Sequence, residues 1–324
     1  MILATEKLLT LARKEAESRH GIVSGYVIGS AAGGDPVFGG TADVDLVLIH
    51  EYEPALLREI VPLSDEVHLD ITHHSKRRYE RPRELRVDPW QGPAMCEPIF
   101  LHDPTHFFKW AQASVRGQFH RPDNVLARSK AFLRRAHTSM RELEGEQRWL
   151  RGWLRALLET SNAVASLEGF PAAGRRLMPQ LESKLTAVGH PEIHGRFLRL
   201  LGAERFVQSE AEEWVTSWTS AVNAASKLSS DPELAAGRRD YYLGGYLSMI
   251  EDGSAVQILW PLLSTWDRAI HAISPSGKPR LHWPLVLDTL ELSIDHASRR
   301  EAELYDLMDQ VEGVLENWAE RVGA

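Results

Sequence analysis

The sequence predicts an α+β chain: a small mixed-sheet domain over residues 1–122, followed by an all-helical bundle domain over residues 123–324. Three observations carry this. Short apolar runs with strand periodicity, punctuated by glycine, fill the first third. From Asp123 onward, apolar residues recur at helical spacing instead. The length, 324 residues, suits about two domains.

The elements follow in order. Ile2 to Arg19 reads as an amphipathic helix with Ile2, Leu3, Leu8, Leu9 and Leu11 on one broad face. Gly21 to Ile28 reads as a strand, and Gly29 to Ala42, with five glycines and one proline, as a loop or a short helix with a loop. Val44 to His50 is a second strand, and Pro54 to Leu63 a short helix. Glu66 to Thr72 alternates polar and apolar residues, the pattern of a half-buried strand. Pro98 to Leu101 is a further strand. Helices are then expected through Val125–Leu143, Trp149–Leu158, Gln180–Val188, Glu192–Leu201, Ala211–Leu228, Glu233–Ile250, Ala255–Ile273 and Pro284–Val322. The last carries Leu287, Leu290, Ile294, Leu304, Leu307, Val311 and Leu315, to be packed internally or across a homodimer, internal packing being the expectation. Most of the ten tryptophans lie in this helical part, as core anchors or as a stacking wall for a base or sugar.

Composition excludes several classes. At 43% hydrophobic and 25% charged, the chain is ordinary globular protein. Its lone cysteine, Cys96, cannot form an internal disulfide or a cysteine-based metal cluster, and the expected role is a half-buried small hydrophobe. No leader and no run of ~18 apolar residues is present, so a cytoplasmic, non-membrane protein is expected. The net charge of −8 argues against a dedicated nucleic-acid binder and suits a small or cationic partner.

The chemistry is concentrated in Tyr26-Val27-Ile28-Gly29-Ser30, twelve residues, then Asp43-Val44-Asp45-Leu46-Val47. On a strand, residues two apart share a face, so Asp43 and Asp45 sit side by side while Val44 and Leu46 point the other way. Adjacent carboxylates repel unless a cation lies between them, and their oxygens suit a hard divalent ion such as Mg²⁺. Asp70 on the following strand would complete a three-carboxylate cup; Glu66, on the same strand face, is the alternative third ligand. Three carboxylates can hold two ions about 3.5–4 Å apart, the geometry for in-line displacement at phosphorus. Gly29 allows close backbone approach to a phosphate, Ser30 adds a hydroxyl donor, and the turn can open a helix.

Apolar-Gly-Ser, a gap of a dozen residues, Asp-apolar-Asp-apolar and a later apolar-Asp-apolar strand resemble the nucleotidyltransferase superfamily typified by DNA polymerase beta and kanamycin nucleotidyltransferase. The resemblance covers about residues 20–75. It implies an enzyme that moves a nucleoside monophosphate from an NTP, here ATP or another NTP, to a hydroxyl with release of pyrophosphate. It implies two Mg²⁺ ions on Asp43, Asp45 and Asp70, with Asp70 also taking the acceptor's proton, and NTP phosphates on Gly29 and Ser30. The sequence departs from the pattern in Ala42, where a serine is usual, and in its glycine-rich loop.

Beyond the cup, Lys76, Arg77, Arg78, Arg81, Arg83 and Arg86 form a basic run. It reads as a phosphate clamp through Lys76 and Arg78, as an RNA-backbone contact, or as a solvated loop. Arg175, Arg176 and Lys184 are further triphosphate candidates, and His73-His74 either line the site or form a surface pair. No Walker A motif, no Gly-x-Gly-x-x-Gly and no Gly-x-Ser-x-Gly occurs, and His190 and His194 lack the glutamate of a zinc helix. The helical half resembles HEPN-type bundles without their Arg-x4-His signature.

The expected acceptor is therefore a small molecule, an aminoglycoside-like antibiotic cation being the type that suits the acidic chain. RNA ends, including tRNA, or protein side chains, as in toxin–antitoxin pairs, are the alternative acceptors. A non-catalytic nucleotide-binding regulatory module is the third reading.

Overall fold

A continuous apolar run such as Leu46-Val47-Leu48-Ile49 sends side chains to both faces of a sheet, and both faces are covered here. The computed structural model describes residues 5–34, 37–143, 146–274 and 277–324, the side chains of 146–148 excepted. Helix α1 (Thr5–Ser18) leads into β1 (Ile22–Ile28), a single turn α2 (Gly29–Ala32), β2 (Val37–Phe38), β3 (Thr41–His50), β4 (Arg58–Pro62) and β5 (Val67–Ser75). Short helices α3 (Pro82–Val87) and α4 (Gln91–Ala94) precede β6 (Ile99–His102) and α5 (Phe107–Arg116). The sheet order is β4-β5-β3-β1-β6, with β2 on β3; β3 and β5 run parallel and the remaining pairs antiparallel. The expected first helix starts at Thr5, and Ile2 and Leu3 lie outside the described residues.

One face carries Val27, Val44, Leu46, Leu48, Leu69 and Ile71 against Leu8, Ala12 and Ala16 of α1. The other carries Val23, Tyr26, Val47 and Ile49 against Tyr79, Leu85, Met95 and Phe108. At the centre of this second face lies a polar knot. Tyr26 and Tyr79 hydroxyls are 2.6 Å apart, Gln91 Nε2 donates to both, and the Tyr79 hydroxyl is hydrogen-bonded to His74 Nδ1 at 2.6 Å. Burial, with Arg78 and His73 nearby, holds the His74 imidazole down to about 3, so the ring is neutral. Burial likewise pushes Tyr26 up to about 12.

The glycine-rich loop resolves into α2 and a hairpin. Gly39 and Gly40, at φ +56° and +74°, make its two-residue turn, a conformation that branched residues cannot adopt. Asp35 and Pro36 lie outside the described residues.

The helix expected over Pro54–Leu63 is a strand. Arg58 and Ile60 face the Asp70 side of β5, Val61 packs in the opposite core, and Ile60↔Asp70 is a register pair. Leu56 and Leu57, whose apolar pair suggests a helix face, are exposed. Pairing with β5 outweighs helix propensity, and the turn closes through Leu63 and Ser64 amides onto the Val67 carbonyl.

The remaining helices are α6 (Pro122–Arg141), α7 (Glu146–Ala165), α8 (Leu177–Ala187), α9 (Pro191–Leu200), α10 (Ala211–Ala225), α11 (Ala236–Glu251), α12 (Leu259–Ala272), α13 (His282–Thr289) and α14 (Ala297–Val322). The chain thus has an α+β N-terminal part followed by helices. Trp153, Trp218 and Trp266 are fully buried, as core anchors. The final helix expected over Pro284–Val322 is broken. Glu291 takes φ +56°, which lets Leu290 and Leu292 both enter the core. Arg300 donates to the carbonyls of Leu290 and Glu291, at 3.0 Å each, replacing the lost helical donors. Leu304, Leu307, Val311 and Leu315 are buried within the chain itself, while Ile294 is exposed.

The chain divides into two compact units: residues 1–120 with 231–248, and residues 121–230 with 249–324. A boundary near 122 is thus followed by a return, because Asp231–Ser248 packs with the sheet unit.

Candidate metal centre

The parallel pairing of β3 and β5 builds the site. Asp45 stands opposite Asp70 in register, and Asp43, two residues back, shares their face. One oxygen from each of Asp43, Asp45 and Asp70 lies within 4.8 Å of the others. Asp43 and Asp70 are buried and Asp45 half-buried. Glu66 lies ahead of β5 and is exposed, so Asp70 is the third carboxylate of the cluster. Three convergent hard oxygen donors on the rigid middle of a sheet could hold a metal ion.

Gly29 closes the other side. Ile28 pairs with Asp45, so the chain leaves β1 directly beside that carboxylate. A Cβ on Gly29 would stand 2.1 Å from Asp45 Oδ2, and φ is +70° there. Gly29 is exposed and Ser30 half-buried.

Two arginines and a glutamate complete the site, and none of the three was among the candidates read from the sequence. Arg58 on β4 grips Asp70 with both prongs, Nε to Oδ1 at 2.7 Å and Nη2 to Oδ2 at 2.5 Å, and reaches Glu233 Oε1 with Nη1 at 2.6 Å. Arg238 on α11 sends Nη1 to Asp43 Oδ2 at 3.1 Å and to Asp70 Oδ2 at 3.2 Å. Its Nη2 donates to Glu233 Oε2 at 2.9 Å and to the Tyr242 hydroxyl at 3.1 Å. All belong to the sheet unit.

The electrostatics are uneven. Burial, then Asp43 and Asp70, push the Asp45 carboxyl well above its ordinary value, and Arg238 and Arg58 offset only part of this. Among the described residues, the ion pairs of both arginines go to Asp43, Asp70 and Glu233 and not to Asp45. Asp45 is therefore the carboxylate most in want of a cation. Burial also opposes ionisation of Glu233, but Arg238 and Arg58 overcome it and hold that carboxyl at about 2.

A depressed carboxylate contributes stability that is complete above its ordinary value of 4.5 and disappears as pH falls towards about 2. Glu233→Gln is therefore expected to cost on the order of 2–3 kcal/mol at neutral pH. Denaturant unfolding from pH 7 down to pH 2 checks this. The gap between wild type and variant should close through the acid range, and a pH-independent gap would refute the assignment.

The other candidates lie elsewhere. Lys76 is six residues beyond Asp70, about 20 Å along the strand. Its Nζ pairs with Glu51 at 2.9 Å and lies over the Phe107 ring. Arg78, Arg81 and Arg83 are exposed at the same far end, and Arg86 donates to the Ser114 carbonyl. The basic run therefore makes no clamp at the cluster. His73 is buried on the α1 face, bonded to His50 and Glu59, and His74 serves the tyrosine knot. They neither line the cluster nor form a surface pair. In the helical unit Arg175 is buried and Lys184 pairs with Glu168. Cys96 is buried rather than half-buried.

An α+β unit of this topology followed by helices is compatible with a nucleotidyltransferase fold. Compared with protein-family models and with curated proteins, the chain matches none.

Proposed function

We propose that the sheet unit is the catalytic domain of a Mg²⁺-dependent nucleotidyltransferase that transfers AMP from ATP, or another NMP, to a hydroxyl of a small molecule. The observation that carries this reading is the convergence of Asp43, Asp45 and Asp70 beside the Gly29-Ser30 turn. Bound Mg²⁺ would supply charge neutralisation at the triphosphate. Asp43 and Asp45 hold and orient that charge, and the Gly29-Ser30 turn lets phosphate oxygens approach the backbone. Asp70 receives the proton of the acceptor hydroxyl. The acceptor oxygen forms its bond to the α-phosphorus as the α–β bridging bond breaks, and pyrophosphate leaves with the electron pair.

The net charge of −8 supports a small cationic acceptor, such as an aminoglycoside-like antibiotic, over RNA. The seating of the basic run away from the cluster supports the same choice. Arg238 within the carboxylate cluster is what favours the second reading, a nucleotide-binding module without turnover.

The test is α-labelled ATP with Mg²⁺, the full chain and a cell extract resolved into RNA, protein and small-molecule fractions, with Asp43→Asn/Asp45→Asn as the blank. Label is expected in the small-molecule fraction, with pyrophosphate released. Label in RNA or protein would keep the transfer and overturn the acceptor. No label with any of the four NTPs would overturn the enzyme reading.

A further inference from the structure

The triad is already in contact with a cation from its own chain. Arg238 Nη1 bridges one oxygen each of Asp43 and Asp70, two of the three residues that could ligate a metal. A divalent ion on those oxygens would sit against a guanidinium nitrogen only about 3 Å from each, in a buried site where like charges are poorly screened. We infer that Arg238 is a removable plug: its guanidinium and a divalent cation exclude one another in the Asp43–Asp45–Asp70 cluster, and loading the site requires Arg238 to swing out. This rests on reading the triad as a metal centre.

Three features fit a plug better than a permanent strut. First, Arg238 has a second seat. Its Nη2 already holds Glu233 and the Tyr242 hydroxyl, so Nη1 can leave the cluster while the other prong stays anchored. Second, the present seat is incomplete, because Nε is buried with no hydrogen-bond partner, an expensive state for a charged donor. Third, the helix that carries Arg238 is rich in glycine. Gly237, Gly244 and Gly245 all lie within α11, and glycine is the poorest helix former after proline. Close packing explains Gly244, whose Cβ would meet the Gly39 carbonyl at 2.4 Å. It does not explain Gly237, beside Arg238, where a Cβ would meet only ordinary contacts at 3.4–3.6 Å. Among the described residues, removing Arg238 leaves Arg58 to pair with Asp70 and Glu233, one guanidinium against the four carboxylates Asp43, Asp45, Asp70 and Glu233.

Mn²⁺ is the probe, its binding to the purified full chain followed by electron paramagnetic resonance of the free ion. Arg238→Gln is expected to bind Mn²⁺ at least tenfold more tightly than wild type, and Arg238→Lys to stay nearer wild type. Asp43→Asn/Asp45→Asn should remove binding from both backgrounds. In the wild-type chain, saturating Mn²⁺ should speed amide exchange over residues 236–248 several-fold and leave 8–16 unchanged. That second readout decides the matter if Arg238→Gln fails to fold. Affinity of Arg238→Gln within twofold of wild type, or weaker, would overturn the plug, as would slower or unchanged exchange in 236–248. So would a complete lack of Mn²⁺ binding in both proteins. The transfer assay is separate. Tenfold tighter Mn²⁺ binding without transfer of any NMP would keep the plug and refute the transferase, whereas transfer with unaltered Mn²⁺ affinity would do the reverse.

Discussion

Asp45→Asn is expected to cut nucleotidyl transfer and yet raise the melting temperature, whereas Asp70→Asn should lower both. The opposite signs follow from who neutralises each carboxylate. Asp45 is pressed by burial and by Asp43 and Asp70, and its carboxyl lies well above the ordinary range. In its ionised form it subtracts from stability; an amide of the same shape removes that charge. A gain of about 1 kcal/mol, or roughly 2–4 °C, is expected. The sign with pH is fixed as well. An acid whose folded value is raised destabilises above that value, so the advantage of Asn should shrink as pH falls and wild type takes up the proton. Asp70 differs in its ion pairs. Arg58 holds both of its oxygens and Arg238 one. Asparagine there strands two buried or half-buried guanidinium groups, at roughly 2–4 kcal/mol, below the range for fully buried pairs because Arg58 is 32% exposed. Transfer should fall about 10²–10³-fold in either variant, the range for losing one preorganised charged group. Calorimetry and the labelled-ATP assay on the same preparations check both halves. A destabilised Asp45→Asn would show that some cation already serves Asp45 and would remove the argument for a metal there.

What could be read from residues alone follows the distance over which each signal acts. Asp43-Val44-Asp45 is legible because strand periodicity is local: two carboxylates two positions apart must share a face. Gly29-Ser30 at the end of an apolar run is legible for the same reason. Asp70 is a step harder, since choosing it over Glu66 requires the parallel register that sets Asp45 opposite Asp70. Arg58 is hidden by the helix-like Pro54-Ala55-Leu56-Leu57 ahead of it, and only pairing with β5 makes its segment a strand. Arg238 and Glu233 are hidden most deeply. Arg238 lies 195 positions from Asp43, in a stretch whose own pattern is simply helical, and charge complementarity leaves no local period to detect. The break at Glu291 is illegible for a related reason, because the buried seats of Leu290 and Leu292 and the carbonyl-binding Arg300 are tertiary.

Gly29→Ala is expected to disable the centre more thoroughly than its size suggests. Two effects coincide. The backbone there is left-handed, at φ +70°, which costs an L-residue roughly 1–2 kcal/mol. The new methyl would also stand 2.1 Å from Asp45 Oδ2, so the carboxylate must move. Asp43 and Asp70 repel that carboxylate, so a displacement towards either is opposed. Misplacing a reacting group by about 1 Å can cost about 10²-fold in rate, and a loss of that order is expected. Gly34→Ala separates the two effects. Gly34 also has a left-handed backbone, φ +84°, but a Cβ there meets nothing within 4 Å. It should lose comparable stability and keep transfer and Mn²⁺ affinity close to wild type. If Gly29→Ala behaves like Gly34→Ala in all three measurements, the approach of the Gly29 backbone to Asp45 has no part in the chemistry. If Gly29→Ala alone loses Mn²⁺ affinity and transfer together, a single glycine sets the position of the least neutralised ligand.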